Sequence, residues 1–336
     1  MSVTLTLDEV RDLATRCLMA AGADAANAAA VADTVTKAER DGCTSHGLFR
    51  IPGFCLSLAS GKVDGAAEPT VETLAPGVLR VDNRRGLASR GLEVAMPPLI
   101  EAARAQGIAA AALVNSHHHS ALWPEVEMIA DAGLVGLALT ASKSAVAPAG
   151  GTKPLFGTDP MAFAWPRPDG RPPLVFDQAS SALARGEIMI AERDGHTLPE
   201  GIGVDSEGNP TTDPGAILKG AQLAFGGYKG AALALMIELL SGALIGQPTG
   251  FEATAQDNND GGPVTNGELL IAMDPARFGD VDDAAARGEA LFAEILKQEG
   301  TRLPSDRRFQ NRARDPHPGT EVPDALMEKL QGLAGG

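Results

Sequence analysis

Ile108-Ala-Ala-Ala-Ala-Leu-Val-Asn-Ser-His-His-His-Ser120 decides the architecture. Its first seven residues are apolar without a break, the pattern of a strand covered on both faces. Leu134 to Thr140 repeats that pattern, and Pro124 to Ala132 between them has helical spacing. Strand, helix and strand in that order read as an α/β chain. The histidines follow directly where the first strand ends, a place at which α/β sheets tend to carry ligand loops. In an extended loop His117 and His119 face the same way, a possible metal-ligand spacing. However, Glu125 is the only close carboxylate and no cysteine completes a tetrahedral set, so no metal is expected. The competing reading is a run of surface histidines.

Working outward toward the N-terminus, Thr6-Leu-Asp-Glu9 is a capping box ahead of Val10, Leu13, Ala14, Cys17 and Leu18. Gly22 closes that helix, and Asp24 caps a second that runs toward Arg40. His46 to Ser60 reads as a third helix, Thr70 to Leu74 and Val78 to Val81 as short strands, and Leu87 to Ala105 as a helix. Downstream come the strand candidates Met161 to Trp165 and Leu174 to Asp177, and a helix from Ser180 to Arg193. A polar loop over 201–214 follows, then an apolar helix from Ala231 to Ile245 and a flexible loop over 257–262. Leu269 to Met273 reads as a strand, Asp282 to Glu299 as a helix, and the rest as an irregular tail.

The 336 residues can bury a large core, built mainly from small aliphatics because aromatics make up only 4%. A formal net charge of -15 argues against nucleic acid or an anionic membrane as the main partner. Cys17, Cys43 and Cys55 are odd in number and lack metal-ligand spacing, which suits free thiols in a reducing compartment. The N-terminus has no basic region followed by an apolar run, and Glu238 interrupts the most apolar helix. The expectation is a cytoplasmic protein.

Chemistry concentrates first in Asp41-Gly-Cys-Thr-Ser-His-Gly-Leu-Phe-Arg50. If this segment opens the third helix, His46 and Arg50 stand one turn apart on one face. Arg50 then suits a carboxylate, and His46 a proton transfer at the neighbouring atom, with Ser45 beside it. The bland alternative is a solvated helix start capped by Ser45. Phe225-Gly-Gly-Tyr-Lys-Gly230 ahead of a helix suits either an anion or a turn that needs positive φ. No Gly-x-Gly-x-x-Gly follows a strand, so a conventional Rossmann site is not supported. Arg302-Leu-Pro-Ser-Asp-Arg-Arg308 is basic in an acidic chain and could meet a phosphate, though it also reads as a solvated face. Glu187 is a candidate to orient His46, or a surface carboxylate.

Read together, Ser45-His-Gly-Leu-Phe-Arg50, the His loop at 117–121, Gly157-Thr-Asp-Pro160, Phe176-Asp-Gln-Ala-Ser180, Phe225 to Gly230, Ala272-Met-Asp-Pro275 with Phe278, and Arg302 to Arg307 make a pattern. It resembles the type-2 malate/L-lactate dehydrogenase family over nearly the whole chain. Within that family Ser116-His-His-His-Ser-Ala-Leu-Trp123 is similar to the branch that reduces the cyclic imino acids Δ1-piperideine-2-carboxylate and Δ1-pyrroline-2-carboxylate. The resemblance implies an α/β, non-Rossmann fold with a largely antiparallel central sheet wrapped by helices. Residues 1–114 with 280–336 would form a helical, substrate and dimerisation region, and 115–279 the NADPH-binding domain of a homodimer. It further implies a proton relay of Ser45, His46 and Glu187, with Arg50 and Thr158 binding substrate. NADPH, or more weakly NADH, would be held by His117, His118, His119, Ser120, Ala121, Phe176, Asp177, Gln178, Gly226 and Gly227. Arg302, Leu303, Pro304, Ser305, Asp306, Arg307 and Arg308 would complete that set. The implied products are L-pipecolate and L-proline; the alternative is a 2-hydroxy acid dehydrogenase of the malate, lactate or ureidoglycolate type.

Overall fold

The computed structural model describes residues 2–117, 120–258, 264–314 and 317–335. His118, His119 and residues 259–262 of the glycine-rich loop lie outside them. The chain opens with strand β1 (Ser2–Leu5) and helix α1 (Leu7–Ala20). The capping box of α1 is formed: Glu9 N–H donates to Thr6 Oγ1 at 3.2 Å, and the Glu9 carboxylate accepts the Thr6 N–H at 2.8 Å. With α2 (Ala25–Arg40) and α3 (Ile51–Ala59), α1 buries Val10, Leu13, Val31, Val35 and Phe54 in one core.

The central layer follows, with β2 (Thr70–Ala75), β3 (Val78–Asp82), α4 (Ala88–Gln106), β4 (Ile108–Ser116), α5 (Trp123–Asp131), β5 (Val135–Thr140), β6 (Met161–Trp165) and β7 (Leu174–Gln178). Next are α6 (Arg185–Asp194), β8 (Gly203–Val204), β9 (Pro210–Thr211), α7 (Pro214–Lys219), β10 (Ala221–Gln222), α8 (Tyr228–Ser241) and α9 (Gly250–Gln256). The chain closes with β11 (Asn266–Met273), α10 (Pro275–Phe278), α11 (Val281–Leu296), α12 (Asp306–Arg312), β12 (Thr320–Pro323) and α13 (Asp324–Leu333).

Seven strands form one mixed sheet in the order β2-β3-β4-β11-β5-β6-β7. β3 and β4 run parallel; the other neighbours are antiparallel. β4 is buried on both faces, as its unbroken apolar run implies. Ala109, Ala111 and Leu113 meet Leu92, Met96 and Leu99 of α4, while Ala112 and Val114 meet Ile237 of α8. The span Tyr228–Ile245 is long and apolar enough to cross a membrane by length and composition alone. Its Glu238 is nevertheless buried, accepting the N–H groups of Gly250 at 2.7 Å and Gly157 at 3.3 Å, and this ties α8 to the start of α9 and to the loop ahead of β6.

Four expectations change. His46 to Ser60 is not one helix: two 3-10 turns, Thr44–His46 and Leu48–Arg50, flank Gly47 at φ −88°, ψ −142°, and α-helix begins only at Ile51. The cause lies in Glu39, whose buried carboxylate accepts the Leu48 N–H at 2.7 Å and the Thr320 hydroxyl at 2.6 Å. A Cβ on residue 47 would fall 2.0 Å from that carboxylate, so the chain must pass it as glycine. The helix expected from Ser180 begins at Arg185, because Ser180 and Ala182 donate their N–H groups to Thr158 and Leu223 instead. The polar loop at 201–214 holds two short strands that pair with each other. The tail is also ordered: β12 pairs with β1, and Leu330 of α13 enters the core of α1 and α2.

Candidate active site

The turn at residues 44–50 does what a continuous helix would not. Ser45 Oγ lies 3.1 Å from His46 Nδ1, and Arg50 Nε donates to the Ser45 carbonyl at 2.9 Å. Hydroxyl, imidazole and guanidinium are therefore packed as one unit. The N-terminus of α6 comes down on this unit at Gly186, where an added Cβ would sit 3.2 Å from both Arg50 Nη2 and the Ser45 side chain. Arg185 and Glu187 flank that contact and, with Ser45, His46 and Arg50, line one cleft of about 1020 Å³. Glu187 is exposed and is hydrogen-bonded to neither Ser45 nor His46 among the described residues.

Arg185 was not singled out by the sequence, yet it defines the electrostatics of the cleft. Its Nη1 reaches the buried Gln222 Oε1 at 3.5 Å. Burial pushes the Arg50 guanidinium below its ordinary pKa, and the Arg185 charge pushes it further; burial does the same to Arg185. Among the described residues neither arginine has an ion pair. Two half-buried guanidiniums without a counter-ion make a site that favours an anion strongly, above all a planar carboxylate. The Arg-Gly-Glu run was visible in the sequence; the missing counter-ion is a tertiary fact.

Thr158 faces the same cleft from a loop held on several sides. Its N–H donates to Ser142 Oγ at 3.2 Å, and its carbonyl accepts the Ser180 N–H at 2.7 Å. The next residue, Asp159, is wholly buried at φ 37°, with Oδ1 accepting the Ser142 N–H at 3.2 Å. Burial and the neighbouring Glu238 charge push the Asp159 carboxyl well above the usual range.

Ser120, Ala121, Phe176 and Gln178 line the same cleft. Asp177 also lines it while holding the framework together. Its Oδ2 accepts the Leu122 and Trp123 N–H groups at 2.8 and 3.1 Å and so fixes the start of α5. Arg302, Pro304, Ser305, Arg307 and Arg308 close the cleft from the C-terminal segment. Arg302 and Arg307 are exposed with no ion pair among the described residues, while Arg308 stacks 4.9 Å over Trp123. Leu303 turns into the core, and the Asp306 carboxylate accepts the Leu303 N–H at 2.8 Å.

Several other expected residues do not line this cleft. Gly226 and Gly227, at φ 57° and 64°, form the turn into α8. His117 is buried beside Lys62 and Arg85 in a separate pocket of about 150 Å³, with its pKa pushed down to about 4 by burial. No group of three His, Cys, Asp or Glu side chains converges as a metal set among the described residues.

Comparison with known proteins agrees in length and fold. A family profile described as malate/L-lactate dehydrogenase matches residues 5–331. A Pseudomonas aeruginosa protein named Delta(1)-pyrroline-2-carboxylate/Delta(1)-piperideine-2-carboxylate reductase is 51% identical over 98% of this chain and 99% of its own. The crystal structure of delta1-piperideine-2-carboxylate reductase from Pseudomonas syringae pv. tomato superposes with a TM-score of 0.92. It is 43% identical over 98% of this chain and 99% of that one. Sulfolactate dehydrogenase from Methanocaldococcus jannaschii, 29% identical, superposes at 0.87 over 99% of this chain and 97% of that one.

Proposed function

The chain belongs to the malate/L-lactate dehydrogenase family, and we propose that it is an oxidoreductase that reduces the C=N bond of cyclic imino acids with a nicotinamide cofactor. It would convert Δ1-piperideine-2-carboxylate to L-pipecolate and Δ1-pyrroline-2-carboxylate to L-proline. The observation that carries this reading is the Arg50–Arg185 pair, without a counter-ion among the described residues, packed against Ser45–His46 in one cleft. A five- or six-membered ring with a carboxylate next to C=N offers an anion to the arginines and a basic nitrogen to the imidazole.

Arg50 and Arg185 hold the substrate carboxylate, which orients one face of the ring and places its nitrogen toward His46. His46, its Nδ1 set against the Ser45 hydroxyl, supplies or maintains the proton on that nitrogen, so that C2 becomes a better electrophile. Glu187, on the helix start beside them, contributes the negative charge that a protonated ring nitrogen favours. Thr158 forms the opposing wall. When bound, the nicotinamide cofactor supplies the hydride.

We read NADPH as the preferred cofactor. Arg302 and Arg307, exposed and without an ion pair among the described residues, support a 2′-phosphate at that end, and Ser120, Ala121, Phe176 and Gln178 offer the walls between it and Arg50. Antiparallel pairing through most of the sheet and the missing Gly-x-Gly-x-x-Gly turn support a dinucleotide site unlike a Rossmann one. On this reading the division into 1–114 with 280–336 and 115–279 is not a strict one: Thr158 and Arg185 of the second part serve substrate, Arg302 and Arg307 of the first serve cofactor, and one sheet runs through both. Exposed Leu235, Leu239, Leu244 and Phe251 along and after α8 support a homodimer. Three free cysteines support a cytoplasmic setting.

The test is NADPH oxidation with the two cyclic imines against pyruvate and oxaloacetate. Imine turnover should exceed keto-acid turnover; faster reduction of a keto acid would overturn the assignment in favour of a 2-hydroxy acid dehydrogenase.

A further inference from the structure

Asp41 is wholly buried, and it gathers donors from three directions. Arg312 grips it with two bonds, Nε to Oδ1 at 2.7 Å and Nη2 to Oδ2 at 2.5 Å. Arg40 Nε reaches Oδ1 at 2.9 Å, and Trp123 Nε1 donates to Oδ2 at 3.1 Å. The Asp41 carbonyl takes Asn311 Nδ2 at 3.0 Å. The other side of Arg312 is held by Glu127, through Nη1 to Oε1 and through Nη2 to Oε2 at 2.8 Å. Arg312 is thus committed on both sides, and it does not line the cleft.

This clamp matters for what lies one turn before it. Arg307 and Arg308 sit five and four residues upstream on the same seven-residue helix, α12. A helix that short has no independent stability, so its place is set by tertiary contacts. Besides the clamp these include the Ser305 and Arg308 bonds to the Val175 carbonyl, the Arg308–Trp123 stack and the packing of Phe309 against the central core. Opposite charges hold the clamp strongly enough to pull the Asp41 carboxyl below its ordinary range despite its burial.

We propose that Arg312, through its hold on Asp41 and Glu127, is a positioning residue that sets the chain's preference for NADPH over NADH without touching the cofactor. The inference rests on the reading above that Arg302 and Arg307 meet the 2′-phosphate. A guanidinium displaced by an ångström loses its two-pronged contact with a phosphate, whereas the parts common to both cofactors lie along Ser120, Ala121 and Phe176, which α12 does not carry.

The experiment measures kcat and KM for NADPH and for NADH, with a cyclic imine as second substrate. It compares Arg312→Gln, the triple variant Asp41→Asn with Glu127→Gln and Arg312→Gln, and the separate controls Arg302→Ala and Arg307→Ala. The triple variant removes both carboxylate charges that Arg312→Gln alone would leave without their partner, so a folded clamp variant is available even if the single variant unfolds. The expected result is a rise of about ten-fold or more in KM for NADPH in the clamp variants and at least one control, with KM for NADH within about two-fold. An equal rise for both cofactors in a folded clamp variant would mean ordinary loosening and would overturn the proposal. So would an unchanged NADPH preference in the clamp variants while the controls lose it. If neither control alters the preference, the phosphate reading itself fails and the positioning role falls with it.

Discussion

Arg50 and Arg312 carry the same guanidinium in opposite circumstances. Arg312 meets two carboxylates, Asp41 and Glu127, and is closed on both sides. Arg50 meets a backbone carbonyl and, at close range, the like charge of Arg185, with no carboxylate paired to either among the described residues. Burying a cation is costly in both places, but among the described residues only one of them is compensated by a carboxylate. The closed arginine serves the framework, and the open pair reserves its missing counter-ion for a ligand. A third solution appears at Glu125, where burial pushes the carboxyl up to about 8 while a hydrogen bond from Glu268 pulls the other way. That group is neutralised by its own proton.

The comparison is most exposed to failure at Asp41. Asp41→Ala leaves Arg312 and Arg40 without their shared carboxylate and should cost about 3–5 kcal/mol of stability, read by thermal or denaturant unfolding. A loss near zero would show that the closed arginine is not structural. Arg50→Ala should leave unfolding nearly unchanged or even improved, because it relieves repulsion with Arg185, while kcat/KM for the imino acid drops about a hundred-fold or more. If stability fell and binding stayed, the two arginines would have to exchange roles. Arg185→Gln keeps a bond toward Gln222 and should raise KM by about ten-fold with a smaller change in kcat.

The smallest effect is expected at Glu125→Gln, which copies the protonated acid. Here the folded pKa is raised above the unfolded one, so the stabilising contribution of the carboxyl is full below about 4.5 and is lost as pH rises through about 8. The variant should therefore gain about 1 kcal/mol or more over the parent at pH 8, with the difference shrinking toward pH 5. Parallel stability curves across that range would remove the proton from the account.

Local features of this chain were legible because their causes are local. The capping box at Thr6 and the unbroken run of β4 formed as read, since a neighbour three residues away or a two-faced burial suffices to specify them. The helix drawn through His46 failed because Glu39 bonds across it, although Pro52 in the first turn of α3 marked the true start. The tail was missed because β12 finds its partner at the far N-terminus. At the site, Ser45, His46, Arg50 and Thr158 are named from sequence and do share a cleft, whereas Arg185 is visible there only as the cation beside Glu187, with no role of its own. Its distinction is a partner it lacks, and spacing along a chain cannot express that.

Asp41 and Arg312 are 271 positions apart. At translation speeds of about 5–20 residues per second, the carboxylate leaves the ribosome roughly 15–55 s before the guanidinium that will cover it. For most of that wait a nascent chain already has its serine, histidine and Arg50, yet lacks the C-terminal segment 302–308 that closes the groove. Chains that stall or lose their last few dozen residues would thus carry the whole proton-handling apparatus and still be idle, so completeness of synthesis is itself a condition for activity.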